Sequence, residues 1–291
     1  MATATVTTLP APDELAQGDF EMVVRRLADD LAFGVDHSRF VGSGIEYAQS
    51  RAYAPGDSIK MMDWRITARL GRPFVKEYDS PKRTSVYIVL DTSRSMSVAS
   101  TALSKHALAV WIASALGLIA QRRMSPVAII GAGERTTPFH PSLNRADLWR
   151  ALDPLRTAAP RGERTSLGTR LDELSTRARR ASVIIALSDL HDPGALAALR
   201  HSAQRHDCIA IHFSDPAEGG RLKAGFFRGE ESETGRAFVS HSRASWEHEG
   251  TMRTDLARAG VSYLRLSTHD PFIAPLRHFL SFRPMLGGGR A

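Results

Sequence analysis

Short apolar runs that alternate with helical patterns constrain the fold of this chain more than any other feature of its sequence. Most of these runs are apolar at nearly every position, as expected of parallel strands that are covered on both faces. Strands are predicted at 85–90, 127–130, 135–139, 181–187, 208–213 and 261–266. The alternation predicts an α/β fold, with a mostly parallel, doubly wound sheet and helices on both of its faces.

Helical periodicity precedes, separates and follows these strands. Helices are predicted at 19–33, 103–122, 145–155, 167–179, 194–206, 251–259 and 272–282. The polar, glycine-rich interval 214–246 is expected to contain an irregular hairpin. The chain is therefore expected to divide into a flexible tail (1–18), an N-terminal α+β segment packed on the main domain (19–83), the α/β domain (84–282) and a C-terminal tail (283–291).

The N-terminal segment contains one further predicted helix. Asp57 follows a Pro-Gly turn and is a natural N-cap for that helix. The apolar residues that recur on one face of it are Ile59, Met62, Ile66 and Leu70. Gly71 is expected to end the helix, since glycine readily takes the left-handed conformation that closes a helix.

Oxygen-bearing side chains follow two of the predicted strands at the point where each strand ends. Asp91, Ser93 and Ser95 come directly after the first strand of the α/β domain, and Asp189 follows the fourth. The carboxyl ends of strands in an open α/β sheet meet at one edge, where ligands gather. Thr165 lies between these groups in sequence, in a loop that precedes a predicted helix. All five donors are oxygens, which suits Mg²⁺ in six-fold coordination.

Several other kinds of site are excluded by composition and motif content. A single cysteine, Cys208, leaves no intrachain disulfide framework and no cysteine-based zinc site. The histidines show no zinc-like pairing, and the sequence has no glycine-rich phosphate loop with a lysine. ATP hydrolysis of the Walker type is therefore excluded.

The charge balance is mildly basic. Lys and Arg number 38 against 31 Asp and Glu, which gives a formal net charge of +7, and all but five of the basic residues are arginine. Arginine binds planar oxyanions by forked hydrogen bonds, so acidic partners are one explanation of this excess, and a GC-rich genome is the other. No aromatic interleaving or helix-turn-helix pattern accompanies the basic residues, so specific nucleic-acid binding is not expected.

The chain is expected to be cytoplasmic. Its longest apolar stretch, 107–120, is shorter than the roughly 20 residues that a membrane-spanning helix needs. The N-terminus has no basic region followed by an apolar core, as a secretory signal would. The sequence therefore predicts neither a transmembrane segment nor a secretory signal.

Two motifs together resemble a known bacterial family. The order Asp91/Ser93/Ser95, Thr165, Asp189 resembles the metal-ion-dependent adhesion site of von Willebrand factor A-type domains. The upstream string resembles the signature of domain-of-unknown-function family number 58, whose members accompany MoxR-type AAA+ ATPases: Glu46, Arg51-Ala52-Tyr53-Ala54-Pro55-Gly56-Asp57, Asp63-Trp64 and Ala68-Arg69. The resemblance implies a von Willebrand A-like, Rossmann-like domain preceded by a family-specific segment. The charged string of that segment is a partner face, a lid over the metal edge or an internal network of ion pairs.

The resemblance also implies roles for the five oxygen donors. Ser93, Ser95 and Thr165 would bind Mg²⁺ directly, with Mn²⁺ or Ca²⁺ as competitors, and Asp91 and Asp189 would hold it mostly through water. Neutral direct ligands leave the cation most of its charge, so it would attract a carboxylate from a partner. The sequence departs from the family at Glu163-Arg164-Thr165, where Gly-Gly-Thr is frequent, and Thr169 is a rival for the threonine ligand.

The expected function is that of a metal-dependent protein-binding module and not of an enzyme. Such a module would work with a MoxR-type AAA+ ATPase, or with other von Willebrand A-like proteins, in the maturation or remodelling of protein complexes. Two alternatives remain at this point. One is a Mg²⁺-dependent hydrolase or phosphatase with Asp91 as nucleophile, and the other is an adaptor with a vestigial metal site.

Overall fold

The structure is a computed structural model, and the fold is built from eight helices and nine strands within the residues that it describes. Those residues are 12, 15, 19–32, 46–79, 84–97, 99–133, 139–157, 166–216, 218, 227–230, 237–240 and 245–282. The helices are α1 (Phe20–Ala32), α2 (Trp64–Leu70), α3 (Lys105–Arg122), α4 (Arg145–Thr157), α5 (Leu167–Arg177), α6 (Ala195–Ser202), α7 (Ser245–Arg258) and α8 (Ile273–Phe282). The strands are β1 (Glu46–Ala52), β2 (Phe74–Asp79), β3 (Val86–Leu90), β4 (Val127–Gly131), β5 (Val183–Ser188), β6 (Asp207–Ser214), β7 (Phe227–Glu230), β8 (Ala237–Ser240) and β9 (Ser262–Ser267).

Five of these strands form the central sheet, in the order β4-β3-β5-β6-β9. Each neighbouring pair runs parallel, with β3 between β4 and β5. The chain passes from β3 to β4 on one side and later returns to β5 on the other side of β3. The switch in strand order therefore falls between β3 and β5, and ligands of open α/β sheets bind at such a point, outside the carboxyl ends of the strands.

Apolar side chains cover both faces of this sheet, as the continuous apolar runs predict. In β3, Ile88 and Leu90 pack in the core that contains α1, α3, α4 and α8. Tyr87 and Val89 pack on the opposite face, in the core that contains α5, α6 and α7. Successive strand residues point to opposite faces, so one short run contributes to both cores. A mixed α/β fold with a parallel sheet is thus confirmed.

The N-terminal segment predicted at 19–83 is divided between two compact units. Helix α1 belongs with the large unit, because its buried face packs against α3 and α8. The smaller unit comprises residues 41–83. Its described part consists of the antiparallel pair β1 and β2, a short 3-10 helix at Ile59–Met61, and α2.

The predicted N-cap of the helix in the smaller unit is wrong. Asp63 caps α2, since its carboxylate accepts hydrogen bonds from the backbone N–H groups of Arg65 and Ile66. Asp57 instead pairs with Arg51 and accepts a hydrogen bond from the backbone N–H of Ala54. A continuous helix from Asp57 does not form, because the backbone is extended at Met62 and non-helical at Asp63, between the 3-10 helix and α2. Gly71 ends α2 in the left-handed conformation, as predicted.

Apart from β1, where no strand is predicted, the remaining differences lie mostly at element boundaries. Helix α6 ends at Ser202, earlier than the predicted 206, and α7 begins at Ser245, earlier than the predicted 251. The hairpin expected within 214–246 is present as the antiparallel pair β7 and β8. The strand predicted at 135–139 and the two predicted tails fall largely or wholly outside the described residues. Within the described part, no helix combines the length and the apolar character needed to span a bilayer.

Candidate metal centre

Asp91 and Asp189 meet at the switch point of the sheet. Asp91 directly follows β3 and Asp189 directly follows β5, and both residues are buried. The backbone N–H of Asp91 donates to the carbonyl of Leu187 at 2.9 Å, which continues the pairing of the two strands past the end of β3. Parallel pairing in register thus places both carboxyl groups at one edge, as the sequence predicts.

The loop after β3 turns back immediately and brings two hydroxyl groups to the same edge. The backbone N–H of Ser93 donates to Asp91 Oδ1 at 2.9 Å, which fixes the turn. A short 3-10 helix at Arg94–Ser97 then places Ser95 beside Ser93, and their Oγ atoms lie 3.0 Å apart. Both serines are buried, whereas Arg94 between them is exposed.

Ser188 is a member of this cluster that the sequence analysis missed. Its hydroxyl donates to Asp91 Oδ2 at 2.6 Å and accepts from the backbone N–H of Leu190 at 2.8 Å. With the bond from Ser93, each carboxylate oxygen of Asp91 accepts a hydrogen bond. A polar residue at the end of an otherwise apolar strand is the sequence signal that could have indicated it.

Lys105 is the second missed residue, and it changes the electrostatics of the site. Its side chain is fully buried, and Nζ donates to Asp189 Oδ2 at 2.7 Å and also to Glu218. Lys105 is the first residue of α3, a helix that is otherwise mostly apolar on every face. A single lysine in such a helix needs a buried anionic partner, and this was the available signal.

The two carboxyl groups are in different electrostatic states. Burial, together with the nearby charge of Asp189, raises the pKa of Asp91 to about 6 against the opposing hydrogen bonds from Ser188 and Ser93. Burial also acts to raise the pKa of Asp189, but the attraction of Lys105 outweighs it and holds that pKa below its usual value. Asp189 is therefore ionised and paired, while the charge on Asp91 is disfavoured.

The donor set fits a hard divalent cation. Adjacent ligands of an octahedral Mg²⁺ ion, each about 2.1 Å from the metal, are about 3.0 Å apart. The Ser93 and Ser95 hydroxyl groups hydrogen-bond to each other at 3.0 Å, so their oxygens already have the separation that two adjacent ligands of such an ion need. A cation bound at these hydroxyls would also relieve the repulsion between the Asp91 and Asp189 carboxylates, which is part of the cause of the raised pKa of Asp91.

Comparison with known proteins places the chain in a family. The family described as "Protein of unknown function DUF58" matches residues 49–256, which is more than half of the sequence. The chain belongs to this DUF58 family. The match begins in β1 and ends in α7, so it includes most of the smaller unit and the whole carboxyl edge of β3 and β5.

Mycobacterial relatives of this DUF58 chain cover nearly its full length. "Uncharacterized protein Rv1480" of Mycobacterium tuberculosis and "Uncharacterized protein Mb1516" of Mycobacterium bovis are each 26% identical to it over 277 residues, covering 90% of the chain and 87% of the relative. The crystal structure of the Deinococcus radiodurans RO (RSR) protein aligns with 93% of the chain at 14% identity and a TM-score of 0.34. The chain spans about half of that structure (49%), and the likeness is too distant to bear on fold or function.

The proposed threonine ligand of this DUF58 chain, Thr165, lies outside the described residues. Its rival Thr169 is on the first turn of α5 and is exposed. The start of α5 is tied to the loop after β5, because the carboxylate of Asp192 accepts hydrogen bonds from the backbone N–H groups of Gly168 and Gly194. A Cβ atom on Gly168 would lie 2.9 Å from the backbone of Gly194, so glycine permits this close approach.

One further cluster of possible ligands adjoins the site. Asp189, His191 and Glu218 each offer a donor atom, and these atoms lie within 4.8 Å of one another. The ammonium group of Lys105 hydrogen-bonds two of the three residues. A cation of the chain itself therefore already lies against this cluster.

Proposed function

We propose that this DUF58 chain is a divalent-metal-dependent protein-binding module that docks an acidic residue of a partner. The observation that carries the proposal is the convergence of Asp91, Ser93, Ser95 and Asp189 at the switch point, with the two hydroxyl oxygens 3.0 Å apart. Mg²⁺ is the proposed metal, with Mn²⁺ or Ca²⁺ as competitors, because every one of these donors is oxygen.

Ser93 and Ser95 would hold the metal through neutral hydroxyls, together with Thr165 as the family resemblance implies. The buried Asp91 carboxylate accepts hydrogen bonds from Ser93 and Ser188, which orient it toward this group of donors. When bound, the metal supplies a positive charge that is only partly neutralised by its ligands. A carboxylate from a partner is the ligand that such a centre favours.

The proposed partner is a MoxR-type AAA+ ATPase, or another von Willebrand A-like protein that acts with it. The family relationship and the motif carry this part of the proposal. In such a pair, the ATPase would supply the energy of ATP hydrolysis, and this chain would supply metal-dependent recognition during maturation or remodelling of a protein complex.

The test is capture of a purified MoxR-type ATPase of the same organism by the immobilised chain, in Mg²⁺ and in EDTA. Capture is expected in Mg²⁺, with loss in EDTA and in Ser93→Ala. The matched control is Ser97→Ala, because Ser97 is an exposed serine of the same loop whose hydroxyl bonds only the carbonyl of Arg94 among the contacts described. Capture that neither EDTA nor Ser93→Ala reduces would overturn the metal-dependent docking.

A second candidate function is an adaptor whose site no longer binds metal. The buried pair between Lys105 and Asp189 favours it, since a positive charge already neutralises one of the two carboxylates. Direct titration distinguishes the two candidates. The docking module is expected to bind Mn²⁺ and to lose that binding in Ser93→Ala, whereas the adaptor binds its partner equally with and without metal.

A further inference from the structure

Lys105 is held in place from two sides of the sheet edge. Its backbone begins α3, where the Ser104 side chain caps the helix by accepting a hydrogen bond from the backbone N–H of Ala107. Its ammonium group bridges Asp189, at the end of β5, and Glu218, in the loop after β6. The side chains of Lys105 and Asp189 have almost no exposed surface, so water does not compete for this bond, whereas the side chain of Glu218 is 28% exposed.

The same carboxylate serves both the ammonium and the candidate metal ligands. Asp189 accepts from Lys105 at 2.7 Å and also interacts with the hydroxyl of Ser95. Ser95 in turn lies beside Ser93. Asp189 is therefore the group at which a bound divalent ion and the ammonium of Lys105 would meet.

We propose that Lys105 is a built-in counter-cation of Asp189 that lowers the affinity of the site for divalent metal. This inference rests on the proposed function, because it assigns a regulator to the same metal centre. Two cations that share one buried carboxylate repel each other, and the protein interior screens that repulsion weakly. Metal binding at the hydroxyls therefore opposes the bond between Lys105 and Asp189.

The consequence of this arrangement is an occupied centre that does not repel an incoming carboxylate. Asp91, Asp189 and Glu218 contribute three negative charges and Lys105 one positive charge, so a divalent ion makes this group neutral. Without Lys105 the occupied group would carry a net negative charge, and an incoming carboxylate would be repelled. Lys105 thus lowers the affinity for metal and raises the affinity of the occupied site for an acidic partner.

The experiment is a calorimetric titration of the full chain with Mn²⁺. Lys105→Met removes the ammonium and keeps a similar shape. It is expected to bind Mn²⁺ at least about tenfold more tightly than the wild type. Lys60→Met is the matched control, because Lys60 is an exposed lysine of the smaller unit, and its affinity should equal that of the wild type.

A double variant distinguishes the effect of the Lys105–Asp189 bond on metal affinity from the effect of net charge. Lys105→Met with Glu218→Gln has the same net charge as the wild type, and it leaves one fewer carboxylate without its ammonium partner if the single variant fails to fold. Because Asp189 is released from its ammonium in both, the double variant is also expected to bind Mn²⁺ more tightly than the wild type. Affinity equal to or below that of the wild type would overturn the inference.

The outcomes of these titrations distinguish a failure of this inference from a failure of the proposed function. If the wild type binds Mn²⁺ and the double variant binds no better, the proposed role of Lys105 as counter-cation is wrong, and the proposed metal centre is retained. If only the double variant binds, Lys105 is confirmed as the counter-cation and the native metal centre is wrong. If neither chain binds, both proposals fail.

Discussion

Two ion pairs of equal length lie in the two units of this molecule and differ in their surroundings. In the large unit, Lys105 Nζ lies 2.7 Å from Asp189, with side-chain exposures of 0% and 1%. In the smaller unit, Arg51 Nη1 lies 2.7 Å from Asp57, with exposures of 42% and 19%. Distance alone therefore does not distinguish a pair that determines the properties of a site from one that fastens a surface turn.

The two pairs differ in whether water can solvate the remaining charge when one partner is removed. Water solvates Asp57 if Arg51 is removed, so an exposed pair contributes little to stability. The Asp189 side chain is only 1% exposed, so water solvates it poorly if Lys105 is removed, and a buried charge that loses its counter-ion is strongly unfavourable. Breaking the buried pair should therefore change the free energy of unfolding more than breaking the exposed pair does. Loss of the exposed pair should mainly affect the residues that form it.

The largest expected effect is that of Lys105→Met on the metal-free protein. The substitution leaves the Asp189 carboxylate buried without its ammonium partner, which should lower the free energy of unfolding by about 3–5 kcal/mol. Urea denaturation in EDTA measures it, with Lys60→Met as the control. A loss as small as that of the control would contradict the burial of the Lys105–Asp189 pair.

Asp91→Asn is expected to stabilise the metal-free protein at pH 7. The pKa of Asp91 is raised to about 6 in the folded chain, so ionisation opposes folding as pH rises from about 4 to 6, and the full cost, about 3 kcal/mol, is present above pH 6. Asparagine removes this charge and can still accept the bond from Ser93. The gain over the wild type should shrink as the pH falls from 7 to 5. An equal gain at both values would contradict the raised pKa.

Ser93→Ala tests the metal centre through stability. A ligand at a hundredfold excess over its Kd stabilises the folded state by about 2.7 kcal/mol. Thermal denaturation with and without Mg²⁺ should show this gain for the wild type and for Ser97→Ala, but not for Ser93→Ala. An undiminished gain in Ser93→Ala would place the metal elsewhere.

The smallest effect is expected from Arg51→Met, which removes the cation from the exposed pair. Its unfolding midpoint should stay close to that of the wild type, in contrast to Lys105→Met. The local effect is on Asp57, because the hydrogen bond from Arg51 is the main cause that lowers its pKa to about 2. An NMR pH titration should show the pKa of Asp57 rising toward 3.8 in the variant, and any stability from the pair should be lost as pH falls from about 4 to 2.

The sequence by itself determined the parallel sheet and part of the candidate site. Apolar runs such as that of β3 identify buried strands, and the carboxyl ends of parallel strands share one edge, so Asp91 and Asp189 could be brought together without coordinates. Periodicity also located most helices. The capping of α2 is misassigned to Asp57, because two aspartates in one short stretch satisfy the same local rule and only the backbone path selects Asp63.

Tertiary structure alone decided which charges surround that edge. Lys105 and Asp189 are 84 residues apart, and Lys105 and Glu218 are 113 apart, so no local pattern relates them. The ammonium reaches Asp189 only because α3 packs across the sheet with its first residue at the carboxyl edge. Local residue preferences fix where strands and helices form, but burial and long-range electrostatics depend on how they pack, and these set the charge of the site.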